Sequence, residues 1–495
     1  MNLGNLLRAS AARNPRKTAC VFENESISYE QLDRSTTSLA RWFLRNGCKP
    51  GDRIAIHWPN SIETVMLFFA CFKAGMIAAP VNVRMKAPEV GYVLQHSKAA
   101  MYIAHTDLAA VATEARKGCA GLSKIHSALE GLNEGDSGVP LPEVNDYDPA
   151  LLLYTSGTTA RPKGVTQTHR TLLESVKLVC SAAPDSLQTV LVMTQMAYIS
   201  AICAGLLPTV VTGGTCVLLP AFDAPQVLDL IERFRCSYTF GLPSMVQLLH
   251  EEQARKPREV RSLRTFMAGG DCVPMSTQER FQALLGIPVR EAYGMTETGP
   301  SAFNPAHAIR SGSLGKALDG VEVRVVDSDG KDVSDGKIGE IAVRSPANFA
   351  GYWDDPAATR EVLRDGWLHS GDLARRDADG YLWFEGRKKE IIVRDGLNIS
   401  PQEVEEAFYD HPAVLEVAVV GIPDPVGAHG ERVVAFVSLR RGLVTDDQEL
   451  RDHARQRLAD FKIPEQIFFV NDLPKGITGK IQRRALKEMR SAAVA

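Results

Sequence analysis

The chain has 495 residues, 45% of them hydrophobic and 23% charged, with a formal net charge of -3. That length exceeds one ordinary core and predicts two or three domains, and the composition is that of a globular chain rather than a disordered or fibrous one. The near-even charge balance gives no global reason to bind nucleic acid, so any anion site must be local.

The opening MNLGNLLRASAARNPRKTACVF lacks an apolar stretch followed by a small-residue cleavage site, and reads as an amphipathic helix leading into a strand. The closing SAAVA is not a peroxisomal tripeptide. Nine cysteines are scattered singly, with no CxxC pair, which fits a reducing compartment and speaks against structural zinc or a disulfide framework. A cytoplasmic location is the expectation, with the cysteines as small core fillers.

Further along, ALLLY is a short apolar run ending at TSGTTARPKG, and THRTLLESVKLV follows as an amphipathic helix. A strand, a glycine and hydroxyl loop and a helix make a phosphate cradle, in which backbone N–H groups and hydroxyls donate to oxygens and Lys163 neutralises charge. It is not a Walker loop, because Lys163 precedes its glycine and no Ser or Thr follows; GITGKIQ near the C-terminus fails too, with Ile481 after Lys480.

From Ser186 to Phe222 there is no Asp, Glu, Lys, Arg or His. Pro208, the Gly213–Gly214 pair and several threonines argue against a membrane span there. The pattern predicts a strand (TVLVMTQ), a buried helix (AYISAICAGLLPTVV) and a strand (TCVLLP). Asp223 then caps a helix with Val227, Leu230, Ile231 and Phe234 on one face, followed by the strand SYTFGL and the helix PSMVQLLHEE. EQARKPREVRSLR reads as a solvated face. The alternation points to an α/β architecture with buried, largely parallel sheets.

GWLHSGDLARRDADGYLWFEGR reads as turns and short strands with a hairpin at DADG. A boundary falls near residue 386. Beyond it Ser400, Pro401 and Glu403 open a helix, and VLEVAVVGI, ERVVAFVSL and QIFFV read as strands, with a helix near Asp447 to Ala459. About 100 residues of mixed α and β character suffice for a small domain.

YTSGTTARPKGV resembles the phosphate loop of the adenylate-forming superfamily: acyl-CoA synthetases, luciferases and peptide-synthetase adenylation domains. The other signatures of that family follow in order: AGGDCVP at 268–274, YGMTE at 293–297, SGD at 370–372, GRKKEIIVRDGLNISPQEVE at 386–405 and LPKGITGK ending at Lys480. The resemblance spans nearly the whole chain and lies nearest the fatty acid–CoA ligase type. It implies a large N-terminal domain of doubly wound mixed sheets with a β-barrel-like subdomain (1–388), carrying acyl and ATP pockets. A small α+β domain (389–495) follows, joined by a hinge and carrying the catalytic lysine.

The chemistry it implies is attack of a carboxylate on the α-phosphorus of ATP with release of pyrophosphate, then transfer of the acyl group to a thiol. The first step needs orientation and charge stabilisation rather than a strong base. By resemblance, Thr155, Ser156, Gly157, Thr158, Thr159 and Lys163 hold the β- and γ-phosphates. Glu297 coordinates Mg²⁺, Thr296 touches the α-phosphate and Tyr293 stacks on adenine. Glu291, Ala292, Gly270 and Asp271 line the nucleotide pocket, and Asp372 accepts from the ribose hydroxyls beside Arg387. Lys480 bridges the reacting carboxylate and the α-phosphate, Lys389 matches the hinge, and Gly396 matches the pantetheine-tunnel glycine.

The acyl pocket departs from the family pattern. At MTQMAYISA, Gln195 and Tyr198 stand where many acyl-CoA synthetases have the proline and histidine of Pro-x-x-His. No Asp is present there to pair with an α-ammonium group, which favours a fatty or aryl acid over an amino acid. Tyr198, Phe240, Gly241, Ala268, Gly269 and Met295 are the expected lining. A second departure is Ala160, where the loop usually has glycine. CoA is the expected thiol, with a carrier-protein phosphopantetheine as the alternative, because no insertion follows residue 386. A luciferase-like oxygenase shares these motifs, and a non-catalytic nucleotide binder would be expected to lose Lys480, Glu297 or Asp372.

Overall fold

The structure, a computed structural model, describes residues 2–119, 122, 125–126, 138–155, 161–424, 430–476 and 480–493. Among these residues the β-branched and aliphatic runs form two large mixed sheets. The nine-stranded sheet runs Lys316–Ala317, Gly299–Phe303, Val289–Met295, Thr265–Gly269, Tyr238–Gly241, Thr189–Val192, Thr215–Leu218, Thr18–Phe22, Glu25–Ser28. Its strands from Val289–Met295 through Thr18–Phe22 are parallel, and both edges are antiparallel. The seven-stranded sheet runs Gly351–Tyr352, Lys163–Thr168, Pro149–Thr155, Ile77–Pro80, Arg53–His57, Met101–Ala104, Ile125–His126. Parallel strands buried on both faces need no alternation, which is why TVLV, TFMAG and IAAP read as continuous apolar runs.

Helix Ile62–Ala74 is buried on nearly all sides. Even Lys73 is buried, its ammonium held by Asp33 Oδ1 at 2.6 Å and by the Thr36 and Thr37 hydroxyls at 2.8 and 2.9 Å. Burial still pulls its pKa down to about 8. The uncharged stretch folds as expected into strand, helix and strand, and its helix carries a π-helical turn at Ile202–Leu206 between Ile199–Ala201 and Leu207–Thr212. No helix among the described residues is long and apolar enough to cross a membrane.

The structure corrects three local expectations. TSGTTARPKG joins two antiparallel strands, Pro149–Thr155 and Lys163–Thr168, with Thr155 opposite Lys163. A second strand therefore stands between the loop and the helix His169–Ala182, which is capped by Thr168. The β-branched residues of KGVTQT favour a strand over a direct strand-to-helix turn. In the charged run, Arg258 is buried rather than solvated: its guanidinium meets Glu252 at 2.6 Å and Asp229 at 2.9 Å, beside the core residues Val260 and Leu263. Finally WLHSGDLARR is one continuous strand, Trp367–Arg376, in an antiparallel five-stranded sheet with Glu322–Val326, Ile338–Arg344, Leu363–Arg364 and Leu382–Arg387. That sheet stands where a barrel-like subdomain was expected, as an open antiparallel sheet, and DADG is its hairpin.

Residues from Ile392 onward build their own core around Val404, Phe408, Val417, Val433 and Leu450. Helix Pro401–Tyr409, capped by Ser400, packs on strands Val414–Pro423, Glu431–Leu439 and Gln466–Phe469. This small unit touches the large one through Ser276 Oγ donating to the Tyr409 carbonyl at 3.2 Å and Arg440 pairing with Glu251 at 3.1 Å.

Candidate active site

In open parallel sheets ligands bind beyond the carboxyl ends of the strands. That is where the cleft lies, a space of about 2310 Å³. Thr155 ends Pro149–Thr155, Asn82 follows Ile77–Pro80, and Met193 follows Thr189–Val192. Leu242 follows Tyr238–Gly241, Gly270 and Asp271 follow Thr265–Gly269, and Thr296 follows Val289–Met295; all line the cleft. Lys480 and Arg483 enter from the small unit, and Asp372 and Arg387 from the five-stranded sheet.

At one wall, Asp372 and Arg387 face each other across paired strands, Arg387 Nε lying 3.5 Å from Asp372 Oδ1. The Tyr293 hydroxyl donates to Asp372 Oδ2 at 2.9 Å. Burial raises the Asp372 pKa, opposed by Arg387 and by that hydrogen bond. Burial also raises Tyr293, with the Asp372 charge adding to it, so the phenol stays a donor.

Glu297 sits on the opposite side, 8% exposed. Its Oε1 accepts the Tyr352 hydroxyl at 2.9 Å, and Lys163 Nζ stands 4.8 Å from the centre of the same ring. Burial raises the Glu297 pKa, with Tyr352 and the more distant Lys163 opposing. A buried carboxylate lining the cleft fits Mg²⁺. That ion takes one or two carboxylates plus substrate phosphates rather than an all-protein cage. Among the described residues no group of three or more His, Cys, Asp or Glu is placed to hold a metal ion. Thr296 is fixed through its carbonyl, which accepts Gln167 Nε2 at 2.7 Å.

Lys480 reaches across the cleft to the Gly270 turn, its Cε 3.8 Å from where a β-carbon at Gly270 would lie; the φ of 88° there suits glycine. Enclosure lowers the Lys480 pKa and Arg387 adds to this, while Asp271, Asp372 and Glu297 oppose it.

The remaining sequence candidates divide. Ala292, Tyr198, Phe240, Met295 and Lys389 line the cleft. Glu291, Gly241, Ala268 and Gly269 do not. Glu291 is buried at 3% exposure and holds the Gly270–Pro274 turn, its two oxygens accepting Val273 N at 2.9 Å and Gln278 Nε2 at 2.8 Å. Gly241 and Gly269 are close-packing positions: a β-carbon would meet Met193 Cε at 2.6 Å and the Ala292 carbonyl at 2.7 Å respectively. Gly396 lies in the hairpin Ile392–Arg394/Leu397–Ile399, away from the cleft lining. Ser156, Gly157, Thr158 and Thr159 lie outside the described residues.

Several lining residues carried no motif. Tyr198 Oη accepts a hydrogen bond from Asn82 Nδ2, and burial pushes this phenol up to about 12. Met193, Cys203 and Met267 complete an apolar end beside Phe240. Asn82 could have been found as a polar residue just past a parallel strand. Tyr352 had no such signal, since it comes to Glu297 from a two-residue edge strand.

Two mixed sheets with a cleft at their carboxyl edge, closed by a lysine from a separately cored small unit, define a two-part enzyme with its site at the junction. The chain belongs to the AMP-binding enzyme family, which matches residues 7–353; the AMP-binding enzyme C-terminal domain matches residues 403–480. It is 36% identical over 483 residues to a feruloyl-CoA synthase of Amycolatopsis sp, covering 97% of each chain. It is 31% identical over 492 residues to the fatty acid–[acyl-carrier-protein] ligase ScoC of Streptomyces coeruleorubidus, covering 97% of this chain and 94% of that one. The crystal structure of the anthranilate CoA ligase AuaEII with anthranoyl-AMP matches it with a TM-score of 0.95 at 26% identity, over 100% of this chain and 98% of that one.

Proposed function

We propose that this protein is an acid–thiol ligase that activates a fatty or aryl carboxylic acid as its acyl-adenylate at the expense of ATP and then forms the CoA thioester. The observation that carries the reading is the convergence on one cleft of Lys480, Glu297 and the Tyr293–Asp372–Arg387 group from segments far apart in sequence.

In the first step a carboxylate oxygen attacks the α-phosphorus, the bond to the bridging β-oxygen breaks and pyrophosphate leaves. The acid is already ionised near neutral pH, so the protein supplies position and charge rather than a base. Lys480 faces the oxygens that gain charge, Asp372 accepts from the ribose hydroxyls with Arg387 and Tyr293 holding it, and the Tyr293 ring lies against the base. Thr155 and Lys163 meet the terminal phosphates and Thr296 the α-phosphate. Glu297 would hold Mg²⁺, which neutralises phosphate charge when bound. In the second step a thiolate attacks the acyl carbon and AMP leaves. The small unit, residues 389–495, turns about Lys389 between the steps, withdrawing Lys480 and bringing Gly396 to the thiol channel.

The acid class follows from the apolar end formed by Met193, Cys203, Phe240 and Met267 with Tyr198 at its rim. The CoA-ligase relatives support CoA, and ScoC keeps a carrier-protein thiol as the second reading. Mass spectrometry of reactions with acid, ATP, Mg²⁺ and either CoA or a phosphopantetheinylated carrier tests the choice: acyl-CoA and AMP are the expected products, and product on the carrier alone overturns CoA.

A further inference from the structure

From Arg387 on the ribose side of the cleft to the helix that follows Lys480 runs a chain of alternating charges, of which the activation step described above uses only Arg387. Arg387, already beside Asp372, has its Nη1 3.9 Å from Glu390 Oε1. The other oxygen of Glu390 lies 3.1 Å from Arg483 Nε. Arg483 is held further by both Glu405 oxygens, one through Nη1 and the other through Nη2 at 3.0 Å, and its Nη1 donates to the Val419 carbonyl at 2.8 Å.

The placement of these residues gives the chain its meaning. Arg483 is three residues after Lys480, and Glu405 and Val419 belong to the small unit's own helix and strand. Glu390 follows Lys389 directly, and a tight turn closes on Arg387, whose carbonyl accepts from the amides of Glu390 and Ile391 at 2.8 and 3.1 Å. The Arg387–Glu390 pair therefore straddles Lys389, whereas Arg483–Glu390 ties the residue just past Lys389 to the segment bearing Lys480. The Glu390 carboxylate offsets the repulsion between the two arginines; with Glu390 neutral that repulsion is uncompensated.

We propose that Glu390 is a positioning residue: a latch that couples the Asp372–Arg387 wall to Arg483 and so holds Lys480 in the adenylate-forming placement. The proposal rests on the two-step reading above. Turning about Lys389 takes Glu390 with Arg483 and parts it from Arg387, so the latch acts in the first half-reaction and is released for the second.

The test separates the half-reactions. Glu390→Gln keeps the shape and removes the charge. Acid-dependent ATP–pyrophosphate exchange falls about three- to tenfold, the range of partly exposed charge-assisted contacts. Thioester formation from supplied acyl-adenylate and CoA, on the same preparation, stays within about twofold, because released contacts do not limit it. Glu390→Asp, which keeps the charge on a shorter arm, recovers part of the exchange, and it carries the same comparison if the Gln variant does not fold. Equal losses in both half-reactions, or no loss in either, overturn the latch. Wild-type protein that exchanges no pyrophosphate with any acid overturns the activation reading and the latch with it; an active wild type with an unchanged Gln variant overturns the latch alone.

Discussion

The Tyr352 hydroxyl donates to Glu297 Oε1 across 2.9 Å, and Lys163 lies over the same ring, its Nζ 4.8 Å from the centre. One aromatic side chain thus sets the geometry of the carboxylate assigned to Mg²⁺ and of the lysine assigned to phosphate. Tyr352→Phe keeps the ring and removes the donor. It is expected to raise the Mg²⁺ concentration for half-maximal activity about tenfold, the loss usual for a partner of a metal ligand. A Mg²⁺ titration of acid-dependent pyrophosphate release reads the effect.

Lys480 is the sole residue from the small unit assigned to the reacting atoms. Lys480→Ala is expected to slow acyl-adenylate formation by about 10²–10³, the cost of losing one donor to developing charge. Thioester formation from supplied adenylate is expected to survive, because the lysine has left the site by then. Single-turnover measurement of each step checks this.

Burial lifts the Glu291 carboxyl to about 7, even though Val273 N and Gln278 Nε2 donate to it. Its folded pKa lies above its ordinary value of 4.5, so the protonated form is the one that folding favours. The stability it contributes is complete below about pH 4.5 and is lost as pH rises through about 7. Glu406 is lifted to about 7 by burial as well and acts with the same sign. Glu291→Gln is expected to remove part of this decline, up to about 3 kcal/mol across that window. Denaturant unfolding from pH 4.5 to 8 measures it.

At the acyl end, Tyr198→Ala opens the rim and leaves Asn82 Nδ2 without its phenol acceptor. Selectivity is expected to move toward bulkier acids by about tenfold in kcat/KM, the scale of a few methylenes of fit. A stability loss of about 1–3 kcal/mol from the unpaired buried amide accompanies it. Competition between short and long acids of one series reads the first effect, and thermal unfolding the second.

The parts legible in the sequence were those governed by local rules. Asp223 and Ser400 cap the helices assigned to them, DADG turns the hairpin, and buried parallel strands announce themselves as apolar runs. The ordered motifs placed Lys480, Asp372, Tyr293 and Glu297, and the fold brings them to one cleft. Long-range pairing was not legible. That Lys163–Thr168 folds back on Pro149–Thr155 depends on a seven-stranded sheet assembled from distant segments. Arg258 looked solvated because its partners Asp229 and Glu252 lie on two helices whose packing no local pattern states. Glu291 shows the opposite limit: the motif put it near the nucleotide, and three-dimensional packing turns its carboxylate into the support of the neighbouring turn.

The central claim is that this cleft joins a carboxylate to AMP. ATP–pyrophosphate exchange by the purified chain, with Mg²⁺ and a panel of fatty and aryl acids, tests it most directly. Exchange is expected to depend on the acid, to fall about 10²–10³-fold in Lys480→Ala and to need no CoA. Exchange independent of every acid, or ATP binding with no exchange for any acid in the panel, would contradict it.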